Sequence, residues 1–367
     1  MINYYKKLAS NIVDYSLEIK ENEKILINIE NGVDLEFIKI LAKEINNKNA
    51  SSYLKIKDYE IEAIINETLN ESQVNLNKKI LEHEVNTYDK TISICYRQND
   101  YQNKNMNTEM LNKQKNMCKE LDKIRINEKK WTLLNFPSIT DAYKAKMTTD
   151  EFKKFAFSVM CYDYKKMYEI MKPLKSLMEK TNQVRIVAKD TDITFSIKDI
   201  PAIICAGTYN IPDGEVYTAP VKTSINGKIT YNTPSPYQDS IYNNISLTFK
   251  DGKIIEATCD TDNEKLNRIF DTDEGSRYVG EFSFGLNPLI RKPMGDILFD
   301  EKIYGSIHFT PGMAYQDAFN GNISNIHWDL VQIQTKEYGG GEIYFDGKLI
   351  RKDGKFVINE LKQLNFD

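Results

Sequence analysis

Two of the chain's three histidines fall in one short stretch. His308 lies in Gly305-Ser-Ile-His-Phe-Thr-Pro-Gly312 and His327 in Asn325-Ile-His-Trp-Asp-Leu-Val331. Imidazole is the commonest metal ligand among side chains. Each of these two sits between apolar neighbours in a strand-like run. Alternation along an extended chain puts His327 and Asp329 on one face and Trp328 and Leu330 on the other. A nitrogen and a carboxylate oxygen from one segment can then reach one ion. The same pattern also describes two half-buried core histidines with hydrogen-bonded tautomers, so this stretch alone leaves both readings open.

Carboxylates extend the set. Glu215 follows a Pro-Asp-Gly turn in Asn210-Ile-Pro-Asp-Gly-Glu-Val-Tyr-Thr-Ala-Pro220, and Glu281 opens the run Gly280-Glu-Phe-Ser-Phe284. A charge at the root of an apolar strand is costly unless it is paired or coordinated. Gly280 lets a backbone or ligand approach closely. Read singly, each glutamate is equally a surface or salt-bridged carboxylate. Read with His308, His327 and Asp329, they make three carboxylates and two imidazoles. Such an oxygen-rich set with some imidazole suits zinc, cobalt or manganese. Two such ions about 3.5–4 Å apart can share a carboxylate, polarise a carbonyl and hold a hydroxide. Glu301, in Ile297-Leu-Phe-Asp-Glu301, can be a further ligand or an acceptor for an imidazole N–H, and read alone it is a loop charge. Tyr315 follows a Pro-Gly turn, and a phenol there can serve an oxyanion or pack as one of 22 tyrosines.

Composition narrows the classes. The chain has 367 residues, which favours two domains over one core. Its hydrophobic share of 41% and charged share of 28% are those of an ordinary soluble protein. A net charge of −4 gives no electrostatic case for nucleic acid. No apolar run approaches the roughly 18 residues of a membrane span, and the N-terminus lacks the apolar core of a signal peptide. Cys95, Cys118, Cys161, Cys205 and Cys259 are scattered and odd in number, as expected of reduced cytoplasmic thiols, with no CxxC zinc pattern. Gly-x-Ser-x-Gly, P-loop and His-Glu-x-x-His patterns are absent, which removes serine esterase, NTPase and single-zinc endopeptidase readings. His83, in a charged helical segment, is expected at the surface.

These residues need elements to hold them. The opening 180 residues alternate predicted strands (24–29, 52–57, 91–96, 131–136) with helical segments (3–20, 35–45, about 59–85, 106–127 and 149–180). That order predicts a mostly parallel α/β domain over 1–181. Thr148 with Glu151 predicts a helix start. From Gln183 the texture becomes short strands with Gly, Asn and Asp turns, Asp251-Gly252 being a hairpin signal. One helix, about 263–270, interrupts it. Residues 182–367 therefore read as a β-rich, barrel-like metal-binding domain of α+β type, and the whole chain as α/β plus α+β.

With these motifs in this order, the sequence resembles the thermophilic-type metal-dependent aminopeptidases, the leucyl aminopeptidase T/S type. The resemblance covers nearly the whole chain. It implies metal ligands at Glu215, Glu281, His308, His327 and Asp329, with Glu281 bridging, and metal binding by Glu301. It implies active-site roles for Tyr315 and Glu281, and a cofactor of two divalent ions. The implied activity is hydrolysis of the N-terminal bond of peptides with a free N-terminus by a two-metal-activated water, in a cytoplasmic homodimer with no nucleic-acid or membrane partner. The alternatives are a non-catalytic, metal-stabilised dimeric peptide-binding protein and a dinuclear hydrolase of another amide. The stretch from Glu301 to His308 is longer than in the family's best-known members, the loop from His308 to His327 is shorter, and Thr310-Pro-Gly312 replaces a more helical run.

Overall fold

The computed structural model describes residues 1–237 and 240–366. The chain divides into two compact units, 1–162 with 207–212, and 163–206 with 213–367.

The first unit is built on a parallel sheet. In spatial order its strands are Ser51–Lys57, Lys24–Glu30, Lys90–Cys95, Lys130–Asn135 and Asn210–Ile211. Ile25, Leu26, Ile27 and Ile29 of the second of these strands are buried, as a strand covered on both faces requires. The helical segments form where periodicity predicts them, with breaks at local caps. The predicted 59–85 segment is two helices, because Asn70 accepts from the Gln73 amide and starts a second one. The predicted 149–180 segment likewise divides at Asp163, which caps the helix Tyr164–Met178. Thr148 and Glu151 form the expected capping box. His83 is exposed. Among the described residues, no helix is long and apolar enough to cross a membrane.

The second unit takes in the Tyr164–Met178 helix and the strands from Gln183 onward, except Asn210–Ile211. The strands form an eight-stranded sheet, a five-stranded sheet and a two-stranded ribbon. Asp251-Gly252 makes the expected tight hairpin between Ser246–Lys250 and Lys253–Thr258, with both turn residues at positive φ. The five-stranded sheet runs Val331–Ile333, Ser306–Pro311, Val279–Gly285, Glu215–Thr218, Ile203–Cys205, all pairs antiparallel. Its apolar face meets the larger sheet: Phe282 and Phe309 each lie 5.0 Å from Phe195, centroid to centroid. Period-two alternation then sends Glu281 and Ser283, and His308 and Thr310, to the opposite face. The register sets Ser283 opposite His308 and Glu281 opposite Thr310.

Candidate metal centre

The polar face of the five-stranded sheet gathers the candidate ligands. Glu215 starts its strand, immediately after Gly214 at φ +132°. Glu281 sits at a bulge, where the pairing with the 306–311 strand shifts register between Val279 and Glu281. Gly280 allows that bulge, since a Cβ there would fall 2.2 Å from the Met313 carbonyl oxygen. His308 lies mid-strand and is 1% exposed. His327 and Asp329 come from an extended segment that precedes the Val331–Ile333 strand and is tied in by a bridge from His327 to Gly312 and by main-chain hydrogen bonds such as Trp328 N–H to the Pro311 carbonyl. The expected two-faced arrangement holds there without a ladder. His327 Nε2 lies 3.2 Å from Asp329 Oδ1, while Trp328 turns away to pack on Tyr237, Tyr242 and Phe270.

Among the described residues, two donor triads share Glu281. Glu215, Glu281 and His308 form one; Glu281, His327 and Asp329 form the other. Within each triad the potential ligand atoms lie within 4.8 Å of one another. The two oxygens of Glu281 divide between the rings, Oε1 at 2.7 Å from His308 Nε2 and Oε2 at 3.7 Å from His327 Nε2. His308 Nε2 also lies 3.2 Å from Glu215 Oε2.

Main-chain carbonyls set both imidazoles. His308 Nδ1 lies 3.2 Å from the Glu301 carbonyl oxygen, and His327 Nδ1 2.8 Å from that of Met313. A carbonyl only accepts, so each Nδ1 carries its proton and donates it. In the neutral rings, Nε2 then presents a lone pair to the carboxylate side. Hydroxyls steady the acids: Ser283 Oγ donates to Glu215 Oε2 at 3.0 Å, and Thr310 Oγ1 to Asp329 Oδ1 at 2.8 Å.

Electrostatics shows that the cluster calls for positive charge. Burial lowers the His308 pKa, but Glu215 and Glu281 outweigh it and raise it to about 9. Burial likewise lowers His327, and Asp329, then Glu281, lift it to about 10. Burial raises Glu281 above the usual carboxylate range, against the pull of His308. Crowded buried carboxylates that draw protons onto both imidazoles are equally served by divalent cations. The donor chemistry therefore fits metal.

Glu301 is placed differently from the other five. Its side chain pairs with Lys302, it belongs to neither triad, and only its main-chain carbonyl touches His308. Tyr315 is half-exposed at the rim, its ring 4.7 Å from that of His327 and 5.9 Å from that of Tyr217. A cavity of about 170 Å³ opens beside His327 and Asp329, walled also by Pro234, Pro236 and Trp328. A larger cavity of about 340 Å³ lies in the first unit beside Lys55, Glu84 and Tyr88 and holds none of the donors.

Sequence reasoning missed Lys302, Ser283 and Thr310. Ser283 and Thr310 carry a usable signal, a hydroxyl two residues from a candidate ligand on the same strand face. Lys302 carries none, since Asp-Glu-Lys reads as a solvated loop.

Comparison with known proteins places the chain. The profile of the thermophilic metalloprotease (M29) family matches residues 3–356. The chain belongs to that family. It is 34% identical over 158 residues to aminopeptidase AmpS of Bacillus subtilis, covering 40% of this chain and 38% of the relative. It is 32% identical over 168 residues to aminopeptidase T of Thermus thermophilus, covering 41% and 40%. These alignments thus span about two-fifths of each relative's length. Among solved structures, wild-type AmpT from Thermus thermophilus superposes with a TM-score of 0.80 at 18% identity, covering 97% of this chain and 100% of that one. The 2,5-dihydroxypyridine dioxygenase of Pseudomonas putida KT2440 superposes at 0.63 and 14% identity, covering 97% and 98%. At these identities the structural likeness establishes the fold, which is shared by proteins of different chemistry.

Proposed function

We propose that this member of the thermophilic metalloprotease family is a metal-dependent aminopeptidase, acting on peptides with a free N-terminus. The observation that carries the reading is the pair of triads sharing Glu281, each with an imidazole oriented by a main-chain carbonyl. In this reading Glu215, Glu281, His308, His327 and Asp329 would hold two divalent ions, of zinc, cobalt or manganese, with Glu281 common to both positions. Bound there, the ions supply Lewis acidity toward the scissile carbonyl and a nucleophile at neutral pH.

The chain's own groups do the rest. A carboxylate of the centre, Glu215 or Glu281, would take and hold the proton of the attacking water. Tyr315, at the rim beside His327, donates its phenolic O–H to the developing oxyanion. Ser283 and Thr310 keep Glu215 and Asp329 from turning away during turnover. Glu301 we assign to Lys302 and not to an ion. We also carry to this chain the homodimeric, cytoplasmic state expected from sequence. Its five free cysteines are consistent with a reducing compartment.

The test is release of amino acid from unblocked and N-acetylated aminoacyl substrates, after chelator treatment and return of zinc, cobalt, manganese or magnesium. Metal-restored cleavage confined to the unblocked set is expected. Stoichiometric metal binding with no cleavage of either set would leave a metal-stabilised peptide-binding protein. Cleavage of the acetylated set would indicate a hydrolase of another amide.

A further inference from the structure

Lys302 is the one fully buried lysine of the described residues, with 0% of its surface exposed. It follows the short helix Ile297–Asp300 and reaches under the polar face of the five-stranded sheet. Its ammonium donates to Glu215 Oε1 at 2.7 Å, pairs with Glu301, and lies 3.8 Å from Asp213 Oδ1. With three carboxylates around it, the ammonium is a cation inside the acid cluster.

That cation is not shared evenly. Glu215 spends Oε1 on Lys302. Its Oε2 already accepts from Ser283 and faces His308 at 3.2 Å. One oxygen is therefore left for an ion, on a carboxylate whose charge is partly neutralised. Among the described residues, no ammonium or guanidinium pairs with the Glu281, His327 and Asp329 triad, and the helper of Asp329 is the neutral Thr310 hydroxyl. Lys302 also covers a third donor set, Cys205, Asp213 and Glu215, whose potential ligand atoms lie within 4.8 Å of one another.

We propose that Lys302 is a resident cation that makes the two metal positions unequal, so that the Glu281–His327–Asp329 position fills first and the Glu215–Glu281–His308 position is held weakly. The inference rests on the two-position reading of the centre. Its physical basis is repulsion between an ammonium and a divalent ion on opposite oxygens of one carboxylate, which the low-dielectric surroundings screen poorly. Lys302 acts through Glu215 and is a positioning residue.

The experiment is titration of the chelator-stripped protein with cobalt(II), followed by calorimetry and by absorption. The unaltered protein is expected to show two classes of site differing by roughly 100-fold in affinity, the order of the difference between the repulsion felt at the nearer and the farther position at an effective dielectric near 20. His308→Ala should keep the tight class and His327→Ala should lose it. Lys302→Met should close most of the gap by tightening the weak class. The pair Glu301→Gln with Lys302→Met guards against misfolding from an unpaired buried carboxylate at 301 and should narrow the gap in the same direction. Equal affinities in the unaltered protein, loss of the tight class in His308→Ala, or an unchanged gap in both lysine variants would each overturn the inference while leaving the metal reading intact. A thiolate-to-cobalt band in Lys302→Met would move the new ion to Cys205 and also overturn it. No cobalt bound by any of the proteins would remove the two-position reading itself.

Discussion

Tyr315 separates chemistry from architecture. Its ring rests against His327, at the rim, yet it belongs to neither donor triad. Tyr315→Phe is therefore expected to keep full metal stoichiometry and to lower kcat by roughly 10²–10³, the usual loss for one oxyanion donor. Metal analysis beside steady-state kinetics checks both halves. Loss of metal in that variant would make the tyrosine structural. The sequence singled out five candidate donors by residue type and motif order, which the structure brings together, and Tyr315 through the family resemblance. It did not point to Lys302, whose role depends on distances to Asp213, Glu215 and Glu301 that no local pattern encodes. Lysine is seldom buried, so the prior ran against it as well.

Among the elements, the Val279–Gly285 strand does the most to build the centre, and Gly280 is its critical point. A side chain there would strike the Met313 and Gly312 carbonyls, at 2.2 and 2.5 Å from the added Cβ. The neighbouring backbone would have to yield, carrying Glu281 with it. Gly280→Ala is expected to cost about 1–3 kcal/mol, the range for overpacked sites, and to weaken metal binding in parallel. Urea denaturation with metal titration measures both. A variant as stable as the parent, with unchanged metal affinity, would show that the bulge does not fix Glu281. Elements of this kind were legible where periodicity is strong, as in the strands at 24–30 and 90–95. The helix breaks at Asn70 and Asp163 were legible in principle, since both are good capping residues. Continuous apolar spacing across them masked the signal. The short helix Ile139–Lys144 also has its capping box, Ser138 with Asp141, but six residues are too few for periodicity to register.

Across the whole molecule, every donor lies in the second unit. Bound metal is therefore expected to stabilise that unit selectively. Saturation at 1,000 times Kd corresponds to about 4 kcal/mol. Hydrogen exchange with and without zinc should slow amides in 215–218, 279–285, 306–311 and 331–333 and leave those in 24–30 and 51–57 unchanged. Uniform slowing throughout the chain, or none, would contradict a centre confined to one unit. The division into units also has a bearing on biosynthesis. The first unit's sheet receives its last strand, Asn210–Ile211, only after the chain has left to begin the second unit, and Glu215 follows four residues later. A growing polypeptide stopped at residue 162 thus lacks an edge strand, and the neighbouring strand Lys130–Asn135 keeps its unpaired backbone groups until residue 211 has been made. Completion of the first sheet and arrival of Glu215, the first glutamate of the donor cluster, are nearly the same moment in translation.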